Sequence, residues 1–349
     1  MTLLPRLLHH GSFFSSSSSS SSNHTCLSPT INDPPQVPFI SNLSFQQFSE
    51  IFSGACLGVV CLISFFLIFR HATNFTVPRE QRQIIRIILL LPIFSLISLL
   101  CILFPSSAIS ILPLADLYES LSFAAFFLLL LTYLSSAAPH SQPCTPTQAL
   151  KIFQFPFIML LVLLITEITQ AKGIYCEAET KPYFAKLWVT ILKALTTVIA
   201  IATLLPIFKQ NHKLLGTMQR KRSPIMQLLA FKGIILLNFL QTILFSFLTP
   251  HLSATNKLTT LDLTIVIPRL ILSVEMVVFA GVFWWGYGVE EYVVGGKKEG
   301  GLRALGQAVN VLGFVGEMVK EVKGRGGEGE GVGGKYESVG LTGGSEEGV

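Results

Sequence analysis

Seven apolar segments, each close to the length that crosses a bilayer, follow one another along the chain. They lie at about 51–69, 84–104, 117–134, 152–170, 187–207, 228–248 and 264–287, and the third is the shortest. A helix needs about 20 residues to cross the hydrocarbon core. Backbone groups in lipid must be satisfied within each segment, so runs of this length indicate helices. The pattern predicts an all-α fold, a polytopic bundle of seven transmembrane helices whose neighbours pack antiparallel across short loops.

The predicted transmembrane domain covers residues 49–293. Outside it, the chain is polar and has a biased composition. Residues 1–48 contain an unbroken serine run and several prolines, which bury too little apolar surface to fold, so we expect disorder. The tail, residues 294–349, has apolar positions spaced by three and four over 302–323, typical of an amphipathic helix. Two roles for that helix stay open, lying on the inner leaflet or binding a partner. The glycine-rich end of the tail is expected to be disordered.

Composition agrees with the pattern. Half of the 349 residues are hydrophobic and 13% are charged, against roughly a quarter charged in a soluble domain. The mean hydropathy is +0.60, which indicates an integral multi-pass membrane protein. The span lengths fit a plasma membrane and an internal membrane equally well, so the sequence leaves that alternative open.

Positive charge predicts the orientation. The basic residues between segments one and two, between segments five and six, and in the tail all fall on one side of the membrane. They are Arg70, Arg79, Arg82, Lys209, Lys213, Arg220, Lys221, Arg222, Lys297, Lys298, Arg303, Lys320, Lys323 and Arg325. We therefore expect the N-terminus outside or in a lumen and the C-terminus in the cytoplasm.

This topology sorts the candidate modification sites. Asn23 and Asn42 begin glycosylation sequons on the outer side, whereas the sequon at Asn74 is cytoplasmic and should stay unmodified. Cys26 and Cys176 would share the outer side, so a disulfide between them is one open alternative. No CxxC spacing indicates a zinc site.

Polar side chains inside the segments are candidate pathway or gating residues, because ionisable groups in lipid are costly. They are Glu119, Lys193, Lys232, Gln241 and Glu275. Glu275 lies too deep to reach the surface, so it needs a partner or a proton, and function and a structural ion pair remain alternatives. Lys193 and Lys232 lie near segment ends, where snorkelling is the alternative to function. Glu119 lies at a depth similar to that of Lys193, which permits a pair between them. Interhelical hydrogen bonding is the alternative for Gln241.

Three arginines share one helical face at the start of segment two. Arg79, Arg82 and Arg86 are spaced by three and four, and the pair Arg82 and Arg86 is unfavourable unless an anion lies opposite. That anion is either an inner-leaflet phosphate or an acidic residue of a neighbouring helix. The three arginines are therefore candidates for a cytoplasmic anchor or a lipid phosphate contact.

Signatures of catalysis are absent from the sequence. There is no Walker A loop, no GxGxxG before a helix, no HExxH and no GxSxG. The histidines fall within residues 1–48 or in predicted loops, and none stands at ligand spacing from a Cys or Asp. We expect no enzyme, no catalytic residue, no metal, no cofactor and no nucleic-acid partner.

Five motifs in order carry a family resemblance. They are Pro78-Arg79-Glu80-Gln81-Arg82 with Ile85-Arg86-Ile87 and Pro92; Asp116-Leu117-Tyr118-Glu119; Gly173-Ile174-Tyr175-Cys176-Glu177; Pro224, Lys232 and Gln241; and Glu275-Met276 with Glu291-Tyr292. The first resembles the P-x-EQR-x-IIRI-x-x-x-x-P signature of the organic solute transporter alpha-subunit family, which includes the transmembrane protein 184 group. The resemblance covers about 77–292. One departure is Gln227, where the family commonly has a lysine.

The resemblance implies a membrane protein related to transporters of steroid-like solutes. Our leading hypothesis is an organic solute transporter-like protein that moves steroid- or lipid-like amphipathic solutes without nucleotide hydrolysis. Its partners would be membrane lipids and the solute, with two alternatives for a protein partner. One is the single-span beta-type subunit of the best-known members, and the other is a second copy packed through Gly54-x-x-x-Gly58. The alternative function is a non-transporting seven-helix receptor or scaffold that acts through its basic loops and tail.

Overall fold

The computed structural model describes residues 33–40, 42–138, 144–176, 181–217, 224–248, 251–293 and 301–323. Within that part the chain is helical and forms no β-sheet. Its α-helices are α1 Phe45–Thr73, α2 Pro78–Ile88, α3 Leu90–Leu103, α4 Ala108–Ala137, α5 Pro146–Ala171, α6 Ala185–Thr217, α7 Pro224–Leu248, α8 Ile267–Gly286, α9 Gly301–Val309 and α10 Val311–Lys323. Seven helical stretches are long and apolar enough to cross a membrane, which confirms the predicted number.

All seven spans begin earlier in the chain than the predicted segments. They are Phe45–Thr73, Pro78–Leu103, Pro105–Ala137, Pro146–Ala171, Ala185–Gly216, Pro224–Phe245 and Asp262–Gly286. The third differs most, because Pro113 and Asp116 made its first turns look like a loop. Pro113 lies inside α4, but in its second turn, where a proline removes one backbone hydrogen bond close to the helix start.

The second span is broken in two. Pro92 has no N–H for the carbonyl of Ile88, and its ring crowds that carbonyl. The break falls at this point, with α2 ending at Ile88 and α3 beginning at Leu90. The arginine-bearing part of the span is therefore a short helix of its own.

The second and third spans form the centre of the bundle. In the apolar 18-residue stretch of each of these spans, 72% of the residues are buried, against 22% in the fifth span and 25% in the sixth. Phenylalanines join the central α4 to its neighbours, since Phe126 stacks on Phe231 of α7 and Phe127 packs on Phe153 of α5, with ring centroids 5.2 and 5.4 Å apart. A charged residue on the inner faces of α2 to α4 thus lies inside the protein, whereas α6 and α7 present their outer faces to lipid.

The segment before the first span is partly packed, which differs from the expected boundary at residue 48. Helix α1 already begins at Phe45. Upstream, the carboxylate of Asp33 accepts a 2.7 Å hydrogen bond from the hydroxyl of Thr260. Residues 33–40 therefore lie against the chain that leads into the seventh span.

The tail forms two helices instead of the one predicted over 302–323. The break falls at Asn310, whose Oδ1 accepts a 3.0 Å hydrogen bond from the backbone N–H of Gly313, a capping role that asparagine favours. Phe314 and Met318 are buried, and the two helices pack against α1, α2 and α5. We call this end of the bundle the tail end. Residues 301–323 of the tail are thus part of the packed bundle.

The motif at the end of α5 is a helix stop. Gly173 has a φ of +69°, and the N–H of Ile174 bonds the carbonyl of Thr169 at 2.9 Å. This 6→1 bond with a left-handed residue is a Schellman motif, in which glycine is preferred. Cys176, three residues on, is buried and disulfide-bonded. Cys26, the partner suggested above, lies outside the described residues.

The sequons differ in their surroundings. Asn42 is exposed just before α1, and Asn23 lies outside the described residues. Asn74 ends α1, and its side-chain amide donates to the carbonyl of Arg70 at 2.9 Å. This bond engages the amide nitrogen that glycosylation would use, so modification at Asn74 would break a helix cap.

Candidate functional site

Charged residues from three helices meet inside the bundle. We call them the embedded charge cluster: Asp116 and Glu119 on α4, Lys193 on α6, and Arg269 and Glu275 on α8. Lys193 Nζ forms a salt bridge with Asp116 Oδ2. Arg269 lies within electrostatic range of Asp116 and Glu275, and Glu119 lies within range of Asp116 and Lys193. Two cations and three acids thus share one region.

The partner of Lys193 differs from the pair that we considered first. The sequence suggested Glu119, whereas the structure pairs Lys193 with Asp116. The two acids are three residues apart, less than one helical turn, so they share a face of α4. Depth alone could not separate them, and Asp116 is the one that the ammonium group reaches.

Arg269 and Asp116 are cluster members that sequence reasoning missed as site residues. Arg269 lies in the first turn of α8, and the rule that singled out Glu275, an ionisable residue inside an apolar segment, would also have found it. Asp116 was visible only as part of a motif. What the sequence lacked was the proximity of α4, α6 and α8 around these charges.

Two carboxylates in the bundle keep a buried oxygen without a hydrogen-bond partner in the described chain. They are Oε2 of Glu275 and Oε1 of Glu167 on α5. A buried acceptor without a donor is costly, so each is ready to take a proton or a donor from a bound molecule. Of the predicted candidates, Glu275 has this property and lies in the cluster.

The remaining predicted candidates lie at the edge of the cluster or outside it. The side-chain amide of Gln241 donates to the carbonyl of Pro268 at 2.7 Å, which links α7 to α8 beside Arg269. Lys232 is exposed on α7. Gln241 therefore positions the helix that carries Arg269, whereas Lys232 faces outward.

A second polar site lies at the tail end. Arg82 NH2 is 3.0 Å from Glu317 Oε1, and Arg86 NH1 is 2.9 Å from Glu317 Oε2. Gln83 Nε2 also donates to Oε2, at 2.7 Å. We call Arg82, Gln83 and Arg86 the tail-end arginine site. Of the two anions considered for these arginines, the structure shows an acidic side chain, supplied by the tail, and Arg79 is exposed outside the site.

Gln81, in the middle of the same motif, organises the turn between α1 and α2. Its Oε1 accepts from the backbone N–H groups of Thr76 and Val77 at 2.8 and 2.9 Å. Its Nε2 donates to the carbonyl of Asn74 at 2.8 Å, and the side chain is fully buried. One glutamine therefore satisfies most of the polar backbone of a buried turn.

Replacing Gln81 with leucine should destabilise this turn. The change leaves the N–H of Val77 without the acceptor that Gln81 supplies and removes one bond each from the N–H of Thr76 and the carbonyl of Asn74. We therefore expect the free energy of unfolding to fall by about 2 kcal/mol. Denaturation of the purified protein in detergent measures it. The control is Gln210→Leu, the same change at an exposed position of α6. Equal losses from the two variants would contradict the role given to Gln81.

A histidine that the sequence placed in a loop proves to be buried in a helix. His71 lies in α1, and its Nε2 is 2.8 Å from the carbonyl of Tyr287. Because a carbonyl only accepts, Nε2 carries the proton.

Burial raises the pKa of the Tyr287 hydroxyl well above its ordinary value, and that hydroxyl donates to the carbonyl of Gln227 at 3.0 Å. The side chain of Gln227 in turn accepts from Tyr133 at 2.9 Å. At the position that departs from the family's lysine, the neutral side chain of Gln227 is thus the partner of Tyr133, and its backbone carbonyl is the partner of Tyr287.

The described residues hold no group of three or more His, Cys, Asp or Glu that could bind a metal ion. Cys144, which precedes α5, is a free thiol. Burial raises the pKa of this thiol to about 11. It therefore stays protonated at neutral pH, which makes it a weak nucleophile.

Comparison with known proteins gives a consistent result. The family model described as organic solute transporter Ostalpha matches residues 50–292. The vacuole membrane protein hfl11 of Schizosaccharomyces pombe is 22% identical over 272 residues, covering 68% of this chain and 61% of its own length. A transmembrane protein 184 homolog of Dictyostelium discoideum is 24% identical over 225 residues, covering 57% of this chain and 43% of its own. The chain thus spans less than two thirds of either relative. No solved structure matches it.

Proposed function

Because the chain belongs to the organic solute transporter Ostalpha family, we propose that it moves steroid- or lipid-like amphipathic solutes across a membrane without nucleotide hydrolysis. It is a multi-pass integral membrane protein. The observation that carries the proposal is the embedded charge cluster. Charges inside spans are costly, and proteins place them where they face a partner or a solute pathway.

The cluster has one member that a solute can reach from the membrane. The side chain of Lys193 is 44% exposed although it pairs with Asp116, and it lies on α6, most of whose span faces outward. Exposed apolar side chains surround it along the helix, among them Trp188 and Leu195. An amphipathic solute matches this surface, because its apolar body packs on the helix while its polar end meets the ammonium group.

The proposal places the tail end in the cytoplasm and the N-terminus outside or in a lumen. Arg82 lies at the tail end against α10, with Arg70 and Arg79 in the same inter-helix region. Lys and Arg collect on the cytoplasmic side of membrane proteins. In this orientation the exposed Asn42 is available for glycosylation.

Membrane lipids are the first partners of such a protein, and a protein partner is a second part of the proposal. Either a single-span beta-type subunit or a second copy of the chain would suit the outer helices. A Cβ built at Gly54 or at Gly58 meets no atom within 4 Å, so the small face of α1 remains open to a neighbour.

The proposal is tested by replacing Glu275 with glutamine. The change keeps the shape but removes the charge beside Arg269, so we expect flux of a sterol conjugate to fall about tenfold, as a barrier raised by about 1.4 kcal/mol implies. The measurement is uptake of labelled sterol conjugates and lipid-like solutes into liposomes that contain the purified protein. Glu50→Gln on α1, outside the cluster, is the control.

Transport as such is refuted if the wild-type protein moves none of these solutes, with or without a beta-type partner. The part played by the cluster is refuted if wild-type flux is measurable and Glu275→Gln leaves it unchanged.

A second candidate function rests on the outward face of the tail. Val309, Val311 and Leu312 are 63%, 61% and 85% exposed, an apolar face of the kind that binds partners. A receptor or scaffold would use it to recruit a protein. Replacing Leu312 with serine separates the two functions, because a transporter keeps its wild-type flux, whereas a scaffold shows no flux even before the change and loses the protein that binds this face.

A further inference from the structure

One carboxylate of the tail is held by three donors of α2. Arg82 and Arg86 each take one oxygen of Glu317, at 3.0 and 2.9 Å, and Gln83 donates to the oxygen that Arg86 takes. Convergent guanidinium groups are the arrangement with which proteins bind carboxylates and phosphates. We propose that the tail-end arginine site binds a phosphate-like anionic group, and that Glu317 occupies the site when the tail is docked. This inference goes beyond the proposed function and does not depend on it.

The site is largely built by α2 itself. Arg82 Nε donates to the carbonyl of Pro78 at 3.1 Å, and Arg86 NH1 donates to Gln83 Oε1 at 2.8 Å. These bonds orient both guanidinium groups without help from the tail. Two like charges at i,i+4 repel each other, and Arg86 is only 7% exposed. The pair therefore needs an anion opposite, whether the tail supplies it or another molecule does.

The tail covers the site through contacts that an incoming anion would replace or loosen. Besides the bond to Glu317, Arg86 Nε donates to the carbonyl of Ala308 at 2.8 Å, and the ring of Phe314 lies 4.3 Å from its guanidinium carbon. Helix α10 has 13 residues, and a helix shorter than about 12–15 residues is marginal alone. The helical structure of α10 thus depends on this docking. Anion binding and tail docking use the same arginines, so they exclude each other.

Two sources carry the required chemistry, a lipid headgroup and dissolved phosphate. The site lies in the first turns of the span Pro78–Leu103, the level at which headgroups meet a transmembrane helix. A phosphomonoester headgroup can therefore reach the arginines from the bilayer, and dissolved phosphate can reach them from the water.

The test follows amide hydrogen exchange of residues 311–323 in the full-length protein in lipid nanodiscs. One sample contains phosphatidylcholine alone, a second adds phosphatidic acid, and a third adds inorganic phosphate to phosphatidylcholine. In the first sample, Glu317→Gln should raise the exchange about tenfold over wild type, because a charge-assisted contact is lost. In wild type, the exchange should rise with phosphatidic acid if the source is lipid, and with both anions if the site accepts the free group.

Three variants keep the result specific. Arg82→Gln, at a side chain that is 25% exposed, should abolish the response to anion relative to its own baseline. Glu50→Gln removes a carboxylate of α1, outside the tail-end arginine site, and should leave the exchange at the wild-type level. Lys320→Gln removes an exposed charge of the tail and should keep the response, which excludes a general effect of surface charge. The proposal is overturned if neither anion raises the wild-type exchange, or if Arg82→Gln responds like wild type.

Discussion

Replacing Arg86 with methionine is expected to lower the free energy of unfolding by about 3 kcal/mol, the lower end of the cost of removing one partner from a buried ion pair. Arg86 is 7% exposed, and its guanidinium bonds Glu317, Gln83 and the carbonyl of Ala308. Methionine fills much of the volume but donates to none of them. Because Arg82 stays with Glu317, the carboxylate is not stranded, which keeps the loss at the lower end.

The measurement is chemical denaturation of purified protein in detergent, with Arg79→Met as the matched control. Arg79 lies seven residues earlier on the same helix and is exposed, so its loss should change stability by no more than about 0.5 kcal/mol. Equal effects of the two variants would show that Arg86 is only an interfacial anchor.

The arginine-rich start of the second span thus serves two structural purposes. Gln81 satisfies the buried turn from α1, and Arg82 and Arg86 join α2 to the tail. The same contacts make deletion of the tail an unsuitable test of the scaffold function. Removing residues 295–349 would uncover Arg86 as well as remove a partner-binding face, so a point change such as Leu312→Ser is the better test of a scaffold.

The number of spans followed from sequence because lipid imposes it. A run of about 20 apolar residues has one stable form in hydrocarbon, and each of the seven runs lies in a helical span. The ends were harder, because polarity marks the edge of lipid and not the end of a helix. Pro113 and Asp116 are residue types typical of loops at the edge of a membrane, yet both lie inside α4. The helix continues through them because neighbouring helices pack against it there.

Pairing between spans was the part that the sequence could not give. Depth along each span restricts the partners of Lys193 to a few acids, but the rotation of α4 decides between Asp116 and Glu119. That rotation depends on packing against five other helices, α2, α3, α5, α6 and α7. The docking of the tail could not be predicted for the same reason. Its hydrophobic spacing predicted a helix but did not indicate which surface of the bundle that helix packs against. Leu312, counted in the predicted apolar stripe, is 85% exposed, whereas Phe314 is buried.

Lys193→Gln is expected to have the largest effect on transport, a fall in flux of roughly a hundredfold, equivalent to about 3 kcal/mol in the barrier. Under the proposed function, Lys193 is the cluster cation that a solute can reach, because its side chain is 44% exposed. Its removal should cost under about 1 kcal/mol of stability, since a half-exposed ion pair is screened. Asp116 also keeps Arg269 within electrostatic range.

The control for this variant is Lys151→Gln, because Lys151 is exposed on α5 and has no place in the cluster. Flux is measured per correctly inserted molecule in liposomes, so that a loss of folded protein is not counted as a loss of transport. Lys193→Arg keeps the charge and should retain part of the flux. If Lys193 were only a structural partner of Asp116, Lys193→Gln would reduce the amount of inserted protein while each remaining molecule transported at the wild-type rate. If the solute pathway runs past the cluster, the fall appears in the rate itself and is absent from Lys151→Gln.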